Sequence, residues 1–288
     1  VVSIDRPAGT HWRVKLGERL PFHDKTLQVR VGDLLPTTVI PRHVLADPHS
    51  YYDPDVELGA LHSADSTTFR VDGDLHGTWY TYRFEGYRLD PREEALDPYA
   101  RLTSNRHRRG MVVDLRRTDP EGFRPIRRPT MSSPNNAVIW EIHVRDFSIA
   151  PNSGMENKGR FLAFTEEGTH HPDDPSVATG LDHLKELGVT HVQLLPVQDF
   201  DNDEENWGQY NWGYMPSHFN SPDGWFASEV YGPARITEFK QLVQAMHRNG
   251  IRVIMDVVYN HTDNSAPFNK IVPDYYYRVH EDGRFWNG

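Results

Sequence analysis

The residues best suited to chemistry lie where one apolar run ends. Asp256-Val257-Val258-Tyr259-Asn260-His261-Thr262 brings a carboxylate, an amide and an imidazole together within six residues. On a strand, Asp256, Val258 and Asn260 would face one side and Val257, Tyr259 and His261 the other, until the strand breaks into its loop. A lone Asp in such a run usually bonds a backbone N–H. Asp, Asn and His at one strand end can instead hydrogen-bond a polar ligand. A second concentration spans residues 198–231, where Phe200, Trp207, Tyr210, Trp212, Tyr214, Phe219, Trp225, Phe226 and Tyr231 alternate with Asn, Asp, Gly and Ser. Connections longer than ~12–15 residues usually carry function. Flat aromatic faces beside short polar groups suit pyranose rings, which offer C–H faces and a rim of hydroxyls. About half of these aromatics are expected to pin the loop instead, because buried aromatic rings dominate packing.

Other chemistries are weaker or excluded. Asp199, Asp201 and Asp203 imitate the start of a calcium loop. Glu204 stands where its glycine is needed and Tyr210 at its twelfth position, so a solvated acidic loop is expected. His170-His171 are adjacent loop residues that seldom chelate together, and no metal centre is expected. Asn260-His261-Thr262 forms a glycosylation sequon that a strand end facing a cleft would not present. The absence of cysteine excludes disulfides, a thiol nucleophile and thiolate metal sites. A net charge of −10 argues against a nucleic-acid partner, and the basic run Arg106-His107-Arg108-Arg109 reads as a solvated loop. No apolar stretch approaches the ~20 residues of a membrane span. The chain begins at Val1 without a charged, apolar leader, so the compartment stays open between bacterial cytoplasm and secretion.

Two grammars position these residues. Residues 1–130 read as β-rich, with period-two runs at Thr26–Val31 and Trp79–Phe84 and a turn signal at Val71–Leu75. Pro125–Asn136 is a linker in composition. From Ala137 the pattern becomes βα. Strands are expected at Ala137–Val144, Val189–Val197 and Ile251–Val258. Helices are expected over Leu181–Leu187, closed by Gly188, and over a face of Ile236, Phe239, Leu242, Val243 and Met246, closed by Asn249-Gly250. Doubly buried strands alternating with amphipathic helices make a parallel sheet, either open or closed into a barrel. No Gly-x-Gly-x-x-Gly or Walker pattern follows a strand, which disfavours nucleotide-binding versions. A full (β/α)₈ barrel takes ~250 residues, more than Ala137–Gly288 contains. The fold class expected is α/β. An incomplete (β/α)₈ barrel of three βα units (131–288) follows a shortened β-sandwich resembling carbohydrate-binding modules (1–130).

These residues also carry a family resemblance. Asp256-Val257-Val258-Tyr259-Asn260-His261 resembles the first conserved region of the α-amylase superfamily. Tyr210-Asn211-Trp212-Gly213-Tyr214 resembles the signature of type I pullulanases. Similar matches occur at Val39–Arg42, Asp97–Ala100, His143–Phe147, Gly154–Gly159, Tyr231–Pro233 and Gly250–Asp256. The resemblance implies a glycoside hydrolase that cleaves α-1,6-glucosidic bonds in pullulan, amylopectin or limit dextrin with retention of configuration. It implies that His261 bonds the sugar before the scissile bond, that Tyr214 stacks on that ring, that Asp256 organises the site and that Asn260 braces the loop. Tyr210 and Trp212 join the substrate-binding set. The partner implied is α-glucan, bound by a monomer, with no cofactor beyond calcium as an optional structural ion. The family's nucleophile Asp, acid/base Glu and later His-Asp pair have no counterpart here, so catalytic residues are expected downstream of Gly288. Met215 replaces the family's Asp after the signature. The middle of the starch-binding module is missing near Arg70–Val71. The alternatives are a non-catalytic α-glucan-binding fragment, or an isoamylase or glucan-branching-type enzyme.

Overall fold

The computed structural model describes residues 74–271 except 86–88, 91, 108 and 124–126, and also residues 275–280 and 284–285. Nearer the N-terminus it describes the strand backbones Val2–Ser3, His11–Glu18, His23–Arg30, Thr38–Val39 and Thr68–Phe69. The chain forms two compact units, Val1–Val113 with Asn264–Gly288, and Asp114–Asp263.

The first unit contains a five-stranded antiparallel sheet, ordered Thr38–Val39, His23–Arg30, His11–Glu18, Thr78–Glu85 and Gly110–Val112. The expected period-two run Trp79–Phe84 lies in Thr78–Glu85, and the run Thr26–Val31 lies in His23–Arg30 up to Arg30, Val31 being outside the described residues. Trp79, Tyr80 and Tyr82 are buried, and the hydroxyls of Tyr80 and Tyr82 donate to Asp97 Oδ2 at 2.6 and 3.1 Å. The Asp97-Pro98-Tyr99-Ala100 motif therefore anchors the sheet: its carboxylate satisfies two phenols that burial would otherwise leave unpaired. Arg70–Gly73, including the sequence discontinuity, lies outside the described residues.

The second unit holds three parallel strands, β1 (Ile139–Ile142), β2 (His191–Leu194) and β3 (Arg252–Met255), with β2 in the middle. Helix α1 (Gly180–Glu186) lies between β1 and β2 in the chain, and α2 (Ala234–Arg248) between β2 and β3. Neighbouring parallel strands in chain order, each pair joined through a helix, are what the alternating pattern predicts. Register places Glu141, Gln193 and Ile254 on one face and Ile142, Leu194 and Met255 on the other. Ile142 and Leu194 join Leu181, Leu184, Leu242 and Met246 in one core. Each fully buried leucine contributes roughly 2 kcal/mol.

The helix stops fall where the sequence put them. Gly188 takes a positive φ of 70°, its N–H donating to Lys185 O at 3.0 Å, while Val189 N–H reaches back to Leu184 O at 3.2 Å. The strands are shorter than expected. The β3 ladder ends with Asp256 N–H donating to Leu194 O; no strand continues past it and Asn260 and His261 are both exposed, so strand alternation does not reach them. Among the described residues no helix is long and apolar enough to cross a membrane.

Candidate functional site

The aromatic connection after β2 is not one open loop. Gln198–Phe200 pairs antiparallel with Pro216–Pro222, through two register irregularities. This hairpin sorts the aromatics. Phe200, Trp225 and Phe226 are buried, and Trp207 packs against the same core. Arg160 caps that side, with its guanidinium carbon 4.1 Å from the Trp207 ring centre and Nη1 donating to Ala227 O. Tyr210, Trp212 and Tyr214 remain 50%, 60% and 37% exposed. The segment between the hairpin strands thus presents three aromatic side chains to solvent while others hold it down. Gly213 makes the turn with φ of 86°; a Cβ there would lie 2.7 Å from Pro196 O. Asn211 Oδ1 accepts from Gly213 N–H at 2.9 Å, and Asn211 Nδ2 donates to Asp201 O at 2.8 Å.

Tyr214 joins the two sequence motifs. Its hydroxyl donates to Asp256 Oδ2 at 2.6 Å, and its carbonyl accepts from His261 Nε2 at 2.8 Å. That bond assigns the His261 proton to Nε2 and leaves Nδ1 to accept from Asn260 Nδ2 at 3.0 Å. Tyr214, Asp256, Asn260 and His261 thus form one chain of hydrogen bonds at the C-terminal end of β3. The Tyr214 phenol is pushed up to about 12, first by its bond to Asp256, then by desolvation and the charges of Asp256 and Glu141. It therefore donates throughout the neutral range.

Tyr210 and Trp212 stand apart from this chain. The Tyr210 hydroxyl donates to Asp146 Oδ2, and Arg145 lies over its ring at 5.5 Å. His143, just past β1, sits against Tyr210, Trp225 and Phe226, and its Nε2 donates to Asn211 O at 3.0 Å. Burial lowers its pKa and keeps the ring neutral, with Nδ1 buried and unbonded. His143 and Asp146 are functional candidates that motif reading left without roles. Their signal was position, since both follow the C-terminus of β1 as Asp256 follows that of β3. On the exposed sheet face, Gln193 Nε2 donates to Glu141 Oε1 at 3.1 Å, placing a further polar pair beside the site.

The acidic run departs from its expected solvation. Asp199 and Glu204 are fully buried, with Asp223 beside them; only Asp201 is exposed among the three aspartates of the run. One carboxylate oxygen from each of Asp199, Glu204 and Asp223 lies within 4.8 Å of the others, the single such group among the described residues. The sequence reading, which expected a solvated acidic loop, missed this buried group. Its detectable trace was Arg235, a charge on the apolar stripe of α2 at the spacing of Phe239 and Leu242. Asn260 has no comparable set of carboxylates around it and serves His261 instead.

Known proteins resemble this chain in sequence and in fold. Residues 165–284 match the family described as "Alpha amylase, catalytic domain", whose fold is a (β/α)₈ barrel. The chain is 39% identical over 283 residues to the pullulanase of Bacillus subtilis (strain 168), covering 84% of this chain and 38% of that protein. The solved pullulanase from Bacillus acidopullulyticus superposes with a TM-score of 0.77 at 41% identity, covering 96% of this chain and 31% of that one. A pullulanase from Paenibacillus barengoltzii, solved in complex with maltohexaose and α-cyclodextrin, gives a TM-score of 0.74 at 37% identity over 95% of this chain and 38% of its own. The chain thus spans less than two fifths of these relatives, and over that span it is homologous to the type I pullulanases of the α-amylase superfamily.

Proposed function

We propose that this chain carries the substrate-binding front of a starch- and pullulan-debranching glycoside hydrolase, and that alone it binds α-glucan without cleaving it. The observation that carries this reading is the exposed trio Tyr210, Trp212 and Tyr214, on a segment pinned by Asp256 and His261 at Tyr214, by Asp146 at Tyr210 and by His143 at Asn211 O. Tyr214 offers a ring face for a pyranose, and Asp256 retains an oxygen beyond the one bonded to Tyr214. His261 has both ring nitrogens engaged within the protein, so a sugar hydroxyl would displace Tyr214 O or Asn260 as its partner.

Retaining hydrolysis of an α-1,6 bond needs a carboxylate nucleophile and a carboxylic acid about 5–5.5 Å apart. Asp256 is bonded to Tyr214, and the motifs for those two groups do not occur among residues 1–288. The reading assigns residues 131–288 to the first three βα units of a barrel and 1–130 to a shortened carbohydrate-binding-type sandwich, the whole acting as a monomer. The exposed Ile139 and Glu141 on the polar-facing side of the sheet, with β1 and β3 at its edges, support the incomplete-barrel part.

Calorimetric titration tests the binding claim. Maltohexaose should release heat and saturate, while the β-linked cellohexaose should not. Equal response to both, or to neither, would remove the reading.

A further inference from the structure

The buried group Asp199, Glu204 and Asp223 has the composition of a cation cage, and a buried guanidinium is paired with one of its members, Glu204. Calcium takes oxygens at 2.3–2.6 Å, so two ligands of one ion stand no more than about 5 Å apart, and one oxygen from each of these carboxylates lies within 4.8 Å of the others. Carboxylates and backbone carbonyls are the donors such an ion prefers. Here Glu204 receives a guanidinium. Arg235, fully buried at the start of α2, donates from Nη1 to Glu204 Oε1 at 2.8 Å and to Pro222 O at 3.1 Å. Its Nη2 donates to Glu204 Oε2 at 2.7 Å and to Val230 O at 2.6 Å. A bidentate pair with two added carbonyl bonds satisfies a buried charge far better than a bare ion pair.

The neighbourhood is shaped for that side chain. Gly224 N–H donates to Glu204 Oε1 at 2.8 Å, and any Cβ at residue 224 would overlap the guanidinium. Asp223 holds the far wall. Its Oδ1 accepts from Trp225 N–H at 2.8 Å and Asn202 Nδ2 at 3.2 Å, and its Oδ2 from Phe200 N–H at 3.2 Å. The cage therefore ties both strands of the hairpin and the turn after it to α2.

We propose that Arg235 is a built-in replacement for a structural divalent cation. The wild-type cage takes no metal, and deleting the guanidinium converts it into a calcium site. This concerns the scaffold under the aromatic segment and stands whether or not that segment binds glucan.

The test compares the full chain with D223N, R235A, R235K and the double variant R235A/D223N. Each is melted in EDTA and in millimolar calcium, and terbium luminescence is excited through tryptophan, with Trp225 beside the cage. Wild type and R235K should melt alike in both buffers and give no terbium emission. R235A should melt about 10 °C lower than wild type in EDTA, recover most of that loss in calcium, and give terbium emission that D223N abolishes. If R235A is unfolded in EDTA, calcium should restore its folded signal. Terbium bound by wild type and lost in D223N would overturn the inference. So would an R235A that stays unfolded in calcium, or that folds without recruiting the ion.

Discussion

Tyr214 is held at two points, by its hydroxyl on Asp256 and by its carbonyl on His261, so its ring has a fixed attitude in the absence of ligand. Removing the ring and removing the hydroxyl should therefore differ. Tyr214→Ala should weaken maltohexaose binding about tenfold or more, whereas Tyr214→Phe, which keeps the ring, should cost only a few-fold, as calorimetry would read. His143 gives the pH dependence at this scale. Burial lowers its folded pKa below the unfolded 6.5, so the folded state holds fewer protons on this ring. Its contribution is then fully present above about pH 6.5 and is lost as pH falls toward the lowered folded value. Thermal melts of wild type should fall in midpoint between pH 7.5 and 5, and His143→Gln should flatten that slope. An unchanged slope would show that other groups, such as the buried His191 and the half-buried His247, set it.

At the scale of elements, the strands and helices of the second unit were legible because each is a local apolar pattern with its own stop signal. Leu181 and Leu184 announce α1, and Gly188 ends it in the left-handed conformation it alone adopts cheaply. Gly188→Ala should destabilise by about 1 kcal/mol in denaturant titration, since open space surrounds the site and only backbone strain acts. Gly213→Ala should cost more, because strain adds to a clash with Pro196 O, and it should lower glucan affinity by displacing Tyr214. The hairpin and the buried carboxylates were not legible. Asp199 and Glu204 look solvated in a window of charged neighbours. Their burial depends on Arg235, thirty-one residues beyond Glu204, reaching back through tertiary structure. Likewise, spacing predicted that Asp256 and His261 lie close, but not that Tyr214 would join them across forty-two residues.

For the molecule as a whole, the function proposed above assigns these residues to glucan binding and not to bond cleavage. Six substrate-binding candidates were named from sequence. The structure draws Tyr214, Asp256, Asn260 and His261 into one hydrogen-bonded chain and sets Tyr210 and Trp212 on the same exposed segment. None of the six supplies the second carboxylate that retaining hydrolysis requires. The central claim is therefore recognition without turnover, and affinity electrophoresis of the 288-residue chain through pullulan tests it most directly, with reducing sugar assayed on the same preparation. The account predicts wild-type migration slowed by pullulan, restored by Tyr214→Ala, and no release of reducing ends. Migration indifferent to pullulan, or reducing ends released by the pure chain, would contradict it.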